Sequence, residues 1–233
     1  MHTEILRMTA STILAWPLSG HERMASEAAS TSLLRAEAGG VLGGLSAARR
    51  ESLKDVLQSM SGFVQVPDLD GVLTGGHWKA WGQMQHFMRV PGKSAAESFR
   101  LAKDSLWNEA DEAVFWFRKD EVTRAKSNLG QAVHALQDSF SPAHVKRERD
   151  EQGRLVIRDL YEYTAQDSTE HHKGDETYKT GEAGESPYSS LGHATVLAST
   201  LLLAYFIQRC AGNESEATGM RSSLDDLYLR AQV

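Results

Sequence analysis

Helical periodicity is the feature that most constrains the fold of this chain, because nearly every apolar stretch repeats its large side chains at three- and four-residue intervals. The clearest case is residues 94–119, where one side is apolar and the other carries acidic and amide side chains. The apolar positions there are Phe99, Leu106, Ala110, Ala113, Val114 and Phe117. Similar patterns predict helices over 21–35, 46–60, 122–138, 189–209 and 222–231. The sequence therefore predicts a compact all-α domain of six to eight helices.

Strand-like alternation is confined to two short stretches, residues 63–66 and 155–157. The second stretch follows turn-forming residues at 150–153, which predicts a small β-hairpin inserted into the helical fold. The length of 233 residues fits one domain. We place that domain at 16–233, after an N-terminal extension or cleaved leader at 1–15.

The charge balance and the single cysteine limit the classes of function. Lys and Arg total 25 against 31 Asp and Glu, which argues against a protein that holds nucleic acid through a broad basic face. The same balance is compatible with an enzyme whose metal ions supply positive charge. Cys210 stands alone, so an internal disulfide and a multi-thiolate metal site are both excluded, and we expect it in the core. The apolar run at 194–207 is too short to span a bilayer and predicts a buried helix.

Histidine and aspartate side chains at ligand spacing carry the chemistry. His134 and Asp138 are four residues apart, so they share one face of the helix predicted over 122–138. Pro142 ends that helix and turns the chain, which brings His144 back towards the same space. Zinc binds imidazole nitrogen and carboxylate oxygen at about 2.0–2.2 Å. One such pair is usually structural, but a second lies at 171–176, as His171/Asp175 or His172/Glu176, and together they indicate a metal site.

Residues 129–144 resemble the central motif of the zinc-dependent phospholipases C and the S1/P1-type nucleases. The shared features are a helix ending in His-x-x-x-Asp and a proline two residues before the next histidine. The other elements of that family follow in order along the chain. Their counterparts are the Trp-x-x-x-Gly-His segment from Trp16 to His21, Asp68 or Asp70, His86 followed by Phe87, and the histidine–carboxylate pair within 171–176.

The resemblance implies the family's fold and three zinc ions, each with its own ligands. The first ligand set is Asp68, His86, His134 and Asp138. The second is His21 with the amino and carbonyl groups of Trp16, and Asp138 bridges the first two ions. The third is His144, His171 and Asp175. The amine of Trp16 is available only if residues 1–15 are removed; otherwise Trp16 offers its carbonyl alone.

The resemblance also implies the reaction, a hydrolysis of phosphoric esters by hydroxide that bridges two zinc ions. Asp68 would orient or deprotonate the attacking water. We expect phospholipase C-type cleavage of phospholipid head groups, with His77, Trp81 and Phe87 contacting the substrate. The alternative is a single-strand nuclease, in which the same aromatic side chains stack on bases. A third reading, a non-enzymatic all-α interaction protein, predicts no stoichiometric zinc.

The expected location depends on the N-terminus. Members of the resembled family are typically exported, and processing before Trp16 would make this protein secreted or periplasmic. Residues 1–15 make a poor signal peptide because they contain Glu4 and Arg7 and lack a clean apolar segment. Without processing we expect a cytoplasmic protein, or export by a route that needs no signal peptide. The expected partners are a phospholipid or nucleic-acid phosphodiester and, transiently, a membrane surface, with no transmembrane segment.

Overall fold

The computed structural model describes residues 18–68, 79–163 and 190–233, and α-helices dominate these ranges. The α-helices are α1 (Leu18–Ala38), α2 (Ala47–Ser59), α3 (Ala80–Gln85), α4 (Ala95–Arg118), α5 (Val122–Asp138), α6 (Ser190–Ala211) and α7 (Glu214–Leu227). Short 3-10 helices cover Val41–Gly44 and Met60–Phe63, and two strands, β1 (Val145–Arg149) and β2 (Leu155–Leu160), form the sheet. The predicted all-α class is confirmed.

Helices α4 and α5 form an antiparallel hairpin that supports the site. Ser94 caps the start of α4, where its hydroxyl accepts a hydrogen bond from the Glu97 amide at 3.1 Å. At the other end, Asp120 adopts a left-handed conformation with φ 63°, and the Glu121 amide donates to the Trp116 carbonyl at 3.0 Å. This pattern of bonds reverses the chain within three residues. It therefore lays α5 along α4.

Helix α6 packs between α1 and α7 and also contacts α4 and α5. It is 22 residues long, and an 18-residue window has a mean hydropathy of 1.6, so by length and composition it is able to cross a membrane. The helix has nearly the bounds predicted for it, 189–209, and it is longer than the 14-residue apolar run at 194–207 that lies inside it. Within the fold, however, 61% of that window is buried, as in the core helix of a globular protein. Cys210, near the end of α6, is buried as predicted.

The predicted β-hairpin is present. Strands β1 and β2 pair antiparallel from Val145 opposite Leu160 to Arg149 opposite Leu155, with a bulge after Lys146. Gly153, with φ 75°, closes the turn between them. The C-terminal segment adds to the free side of β2 through the Gln232 amide, which donates to the Ile157 carbonyl at 2.9 Å. The sheet extends from the end of the turn that follows α5, and it is therefore continuous with the site.

Two sequence predictions of secondary structure are wrong. Residues 63–66 do not form a strand: Phe63 ends a 3-10 helix, and the chain then turns into helical residues 66–68. The last helix begins at Glu214 and ends at Leu227 rather than covering 222–231. Gly212, with φ 84°, ends α6 and lets a new helix begin two residues later. The start of that helix is polar, so it shows no apolar repeat in the sequence.

Candidate metal centre

The last turns of α5 are buried on all sides and carry two of the predicted ligands. His134 and Asp138 are 0% and 1% exposed, and His134 Nε2 lies 2.9 Å from Asp138 Oδ2. Every residue from 132 to 138 is buried, so the polar side chains there face protein rather than water. Buried polar groups need partners. For His134 and Asp138 these partners come from four other places in the chain, namely His21, Asp68, His86 and His144.

His86 reaches the same oxygen of Asp138 from the end of α3. Its Nδ1 lies 2.9 Å from Asp138 Oδ2 and 3.0 Å from His134 Nε2. The next residue, Phe87, takes a left-handed conformation with φ 51°, and the Met88 amide donates to the Gln83 carbonyl at 2.8 Å. A left-handed residue is uncommon for a bulky side chain. This turn follows the end of α3 at Gln85 and so fixes the position of His86 beside α5.

Asp68 completes a set of four side chains. Its Oδ1 lies 3.6 Å from His86 Nδ1 and 3.8 Å from His134 Nε2. Atoms that bind one tetrahedral zinc at about 2.0–2.1 Å are separated by roughly 3.3–3.4 Å. The five distances among Asp68, His86, His134 and Asp138 range from 2.9 to 3.8 Å and bracket that spacing. The four residues are the first ligand set that the resemblance implies, and their donor atoms fit a zinc ion.

The second carboxylate oxygen of Asp138 faces a different histidine. His21 Nε2, in the first turn of α1, lies 3.3 Å from Asp138 Oδ1. The other ring nitrogen of His21, Nδ1, lies 2.5 Å from the amide oxygen of Gln137. The two oxygens of Asp138 therefore face different histidines: Oδ1 faces His21, and Oδ2 faces His86, His134 and His144. This is the arrangement that a bridging carboxylate requires.

His144 joins the cluster from the turn between α5 and β1. Its Nδ1 lies 2.7 Å from the backbone carbonyl of His86 and 3.2 Å from Asp138 Oδ2. A ring N–H that donates to a backbone carbonyl is the usual outer partner of a metal-binding histidine. The contact with the His86 carbonyl assigns Nδ1 as the donor, so Nε2 is the nitrogen that would coordinate.

The ligand-type side chains also divide into two groups of three, His21/Asp68/His134 and His86/Asp138/His144. Within each group the ligand atoms lie within 4.8 Å of one another. We prefer the set of four because its separations are shorter and because the Nδ1 of His144 is engaged with a carbonyl. Either division places six side chains at one centre.

Charge within the cluster keeps Asp138 ionised. Burial would raise the pKa of Asp138, but His134 and His144 hold that pKa well below its usual range. Burial would likewise lower the pKa of His21, yet the adjacent carboxylate of Asp138 and the charge of Asp68 raise that pKa to about 9. In the absence of metal the buried carboxylate is thus balanced by protons on imidazole. A metal cation would replace those protons.

Several buried polar atoms at the centre lack hydrogen bonds within the part of the chain described. They are His134 Nδ1, Gln137 Nε2 and Asp138 Oδ1. Leaving such atoms without partners is costly. Of the three, the carboxylate oxygen Asp138 Oδ1 is the one that a cation at this centre would satisfy, because an amide nitrogen only donates hydrogen bonds. Solvent approaches from one side, because the Asp68 side chain is 31% exposed, whereas those of His86, His134 and Asp138 are at most 5% exposed.

The structure brings together six of the nine predicted metal ligands. These are His21, Asp68, His86, His134, Asp138 and His144. The other three, Trp16, His171 and Asp175, lie outside the described residues, as do His77 and the alternatives Asp70, His172 and Glu176. Asp68 lies close to two histidines, and this proximity favours Asp68 as the metal-binding aspartate of its segment.

The two aromatic residues predicted to contact substrate differ in exposure: Phe87 is buried and Trp81 is exposed. Phe87 is fully buried and packs edge-to-face against Phe99 with ring centroids 6.0 Å apart, so it fills the core and offers no face to a substrate. Its predicted substrate contact does not fit this position. Trp81, on α3, is 40% exposed and is able to meet a ligand.

Sequence reasoning missed two residues that support the centre, Gln137 and Arg147. Arg147 donates from Nε to the Ser139 carbonyl at 2.7 Å and from Nη1 to the Tyr228 carbonyl at 2.8 Å. Its guanidinium also stacks on Phe140, 4.2 Å from the ring centroid. These contacts hold the turn between Asp138 and His144. In the sequence Arg147 is simply one of several charged residues in β1.

No protein-family model matches this chain, and no match was found among curated proteins or among solved structures. The resemblance to phospholipases C and S1/P1 nucleases is therefore carried by the motif residues alone. The case for a function rests on those residues and on the geometry of the centre.

Proposed function

We propose that this protein is a zinc-dependent hydrolase of phosphoric esters, with phospholipase C-type cleavage as the favoured reaction. The observation that carries the proposal is the convergence of Asp68, His86, His134 and Asp138 at 2.9–3.8 Å, with the second oxygen of Asp138 turned to His21. A buried carboxylate with imidazoles at both of its oxygens suits a pair of metal ions. The family's fold type and the third ion, at His144, belong to the same proposal.

The donor chemistry supports zinc over the common alternatives. Four of the six side chains at the centre are imidazoles, whereas magnesium and calcium prefer sets made only of oxygen ligands. Mixed imidazole and carboxylate ligands are typical of zinc in hydrolases. Bound zinc supplies a Lewis acid that lowers the pKa of water and offsets charge on the phosphoryl oxygens.

Asp68 is the residue of the centre best placed to act on water. Its side chain is 31% exposed, while the side chains around it are buried. It is therefore able to orient the attacking water and accept its proton. His86, His134 and Asp138 hold fixed positions in the protein interior, which lets them bind and orient without moving. The proton would pass from water through Asp68 to solvent, and the leaving oxygen, once its bond to phosphorus breaks, would take a proton from solvent.

The exposed side chain of Trp81, on the same helix that ends at His86, supports a substrate with an apolar or cationic part. A phospholipid head group with a quaternary ammonium ion offers both. A single-stranded nucleic acid is the second candidate, because an exposed indole also stacks on a base. The formal net charge of −6 favours the first, since nucleic-acid binding rests mainly on Lys and Arg contacts to phosphate.

The test compares Asp68→Asn with the wild type on phosphatidylcholine vesicles and on single-stranded DNA. Zinc-loaded wild type should release phosphocholine, and Asp68→Asn should lower turnover by about 100-fold or more, as expected for loss of a general base. Asp55→Asn is the matched control, because Asp55 pairs with Lys126 on the surface at 2.8 Å, far along α5 from the centre. Cleavage of DNA alone would favour the nuclease, and inactivity of the zinc-loaded wild type on both substrates would contradict the proposal.

A further inference from the structure

His21 is held between two consecutive residues of α5. Its Nδ1 lies 2.5 Å from Gln137 Oε1, and its Nε2 lies 3.3 Å from Asp138 Oδ1. The side chains of His21 and Gln137 are both buried, at 5% and 3% exposure. The two ring nitrogens thus face two different chemical groups, a neutral amide and a carboxylate. A contact that spans 116 residues of sequence fixes the rotation of this ring.

The amide oxygen of Gln137 only accepts hydrogen bonds, so the nitrogen opposite it must carry a proton. With the proton on Nδ1, the lone pair of a neutral His21 is on Nε2, the nitrogen beside Asp138. Metal-binding histidines are commonly oriented this way by an outer acceptor on the other ring nitrogen. We propose that Gln137 is a positioning residue, which selects the Nδ1–H tautomer of His21 and turns Nε2 towards the metal that Asp138 would bridge. This inference rests on the proposed zinc centre.

The other end of the Gln137 side chain argues against a role in packing. Its Nε2 is buried and has no hydrogen-bond partner within the described ranges 18–68, 79–163 and 190–233. An apolar side chain of the same length would fill the space without leaving a donor unsatisfied. Glutamine at this position is therefore unfavourable for stability alone. Its accepting oxygen is what an apolar side chain cannot replace.

Zinc titration of the metal-stripped full-length chain by calorimetry tests the proposal. Gln137→Met keeps the length of the side chain and removes the acceptor, and it should weaken one class of zinc sites by about 10- to 100-fold while leaving the others unchanged. Gln137→Glu restores an acceptor and should keep the wild-type affinity or raise it. Gln131→Met is the matched control: Gln131 lies on the same helix but accepts from Gln85 at 3.1 Å, outside the centre, so its titration should match the wild type.

The outcomes separate this inference from the proposed function. If the wild type binds zinc and Gln137→Met binds it with the same affinity at every site, the role of Gln137 is overturned and the zinc centre is left intact. Absence of zinc binding by the wild type would overturn both. If Gln137→Met does not fold, Gln137→Glu decides: affinity equal to or above wild type supports the positioning role, and a tenfold loss overturns it. Thermal unfolding of the metal-free variants gives a second measure, since we expect Gln137→Met to be no less stable than wild type.

Discussion

His86 Nδ1 and His134 Nε2 lie 3.0 Å apart, and each lies 2.9 Å from the same oxygen of Asp138. Three buried atoms of the kinds that bind metal ions, two imidazole nitrogens and a carboxylate oxygen, therefore meet around one point. A single proton can join only two of them, whereas a metal ion binds all three at once. The relationship is the physical basis for treating this cluster as a metal centre and not as an ordinary hydrogen-bonded core.

The stability of the metal-free protein should fall as the pH rises. The pKa of His21 is raised from 6.5 to about 9, so its contribution is fully present below pH 6.5 and is lost as the pH rises through 9. The pKa of Asp138 is lowered, so its contribution is present above 3.8 and is lost only in stronger acid. Zinc requires neutral imidazole, so stabilisation by zinc should grow over the same range.

The measurement is thermal unfolding with zinc and with a chelator, at intervals from pH 6 to pH 9. The difference in Tm between the two series should widen with pH. A difference that stays constant, or narrows as the pH rises, would contradict the exchange of a proton for metal at His21.

Gly130 should not tolerate a side chain. A Cβ at this position would lie 2.8 Å from the backbone carbon of Phe63, where α5 crosses the 3-10 helix Met60–Phe63. Because the obstacle is backbone, we expect Gly130→Ala to lower the free energy of unfolding by about 1–3 kcal/mol. Gly219→Ala is the control: a Cβ there meets nothing within 4 Å, so in α7 it should stabilise by about 0.5–1 kcal/mol. Chemical denaturation measures both, and equal stability of the two variants would refute the close approach.

Phe87 and Trp81 should respond to mutation in opposite ways. Phe87 is fully buried, so Phe87→Ala should cost about 3–5 kcal/mol of stability. Since its φ is 51°, Phe87→Gly should be about 1 kcal/mol less destabilising than Phe87→Ala, the reverse of the usual order. Trp81→Ala should leave stability nearly unchanged and raise KM for the substrate. Urea unfolding and steady-state kinetics distinguish the two residues; a Phe87→Ala variant of wild-type stability would place Phe87 outside the core.

The sequence predicted those parts of the fold that depend on local pattern. Helix α5 has the predicted bounds, 122–138, because its apolar spacing is regular and Pro142 follows its end. The hairpin also formed as predicted, because residues 150–153 favour a turn. Residues 63–66 were not predictable from local pattern. Their alternating character fits a strand, but Phe63 ends a 3-10 helix that lies closely against Gly130, and the chain turns at 64–65 before helical residues 66–68.

The centre was predictable where ligand chemistry and spacing coincide, as at His134, Asp138 and His144. Gln137 was not, because its role depends on a contact with His21, which is 116 residues away in sequence. The burial of Phe87 was also not predictable, since the sequence does not distinguish an aromatic residue that faces substrate from one that packs in the core. Both depend on tertiary packing, which periodicity does not report.

Zinc content is the most direct test of the central claim. Asp138 contacts His21 through one oxygen and His86, His134 and His144 through the other, so Asp138→Asn should remove the two ions that we propose it would bridge. We expect elemental analysis of full-length protein, equilibrated with buffered zinc, to find three zinc ions per wild-type chain and at most one in Asp138→Asn, with Asp55→Asn unchanged. Wild-type protein without stoichiometric zinc, or a folded Asp138→Asn variant with the full wild-type content, would contradict the account.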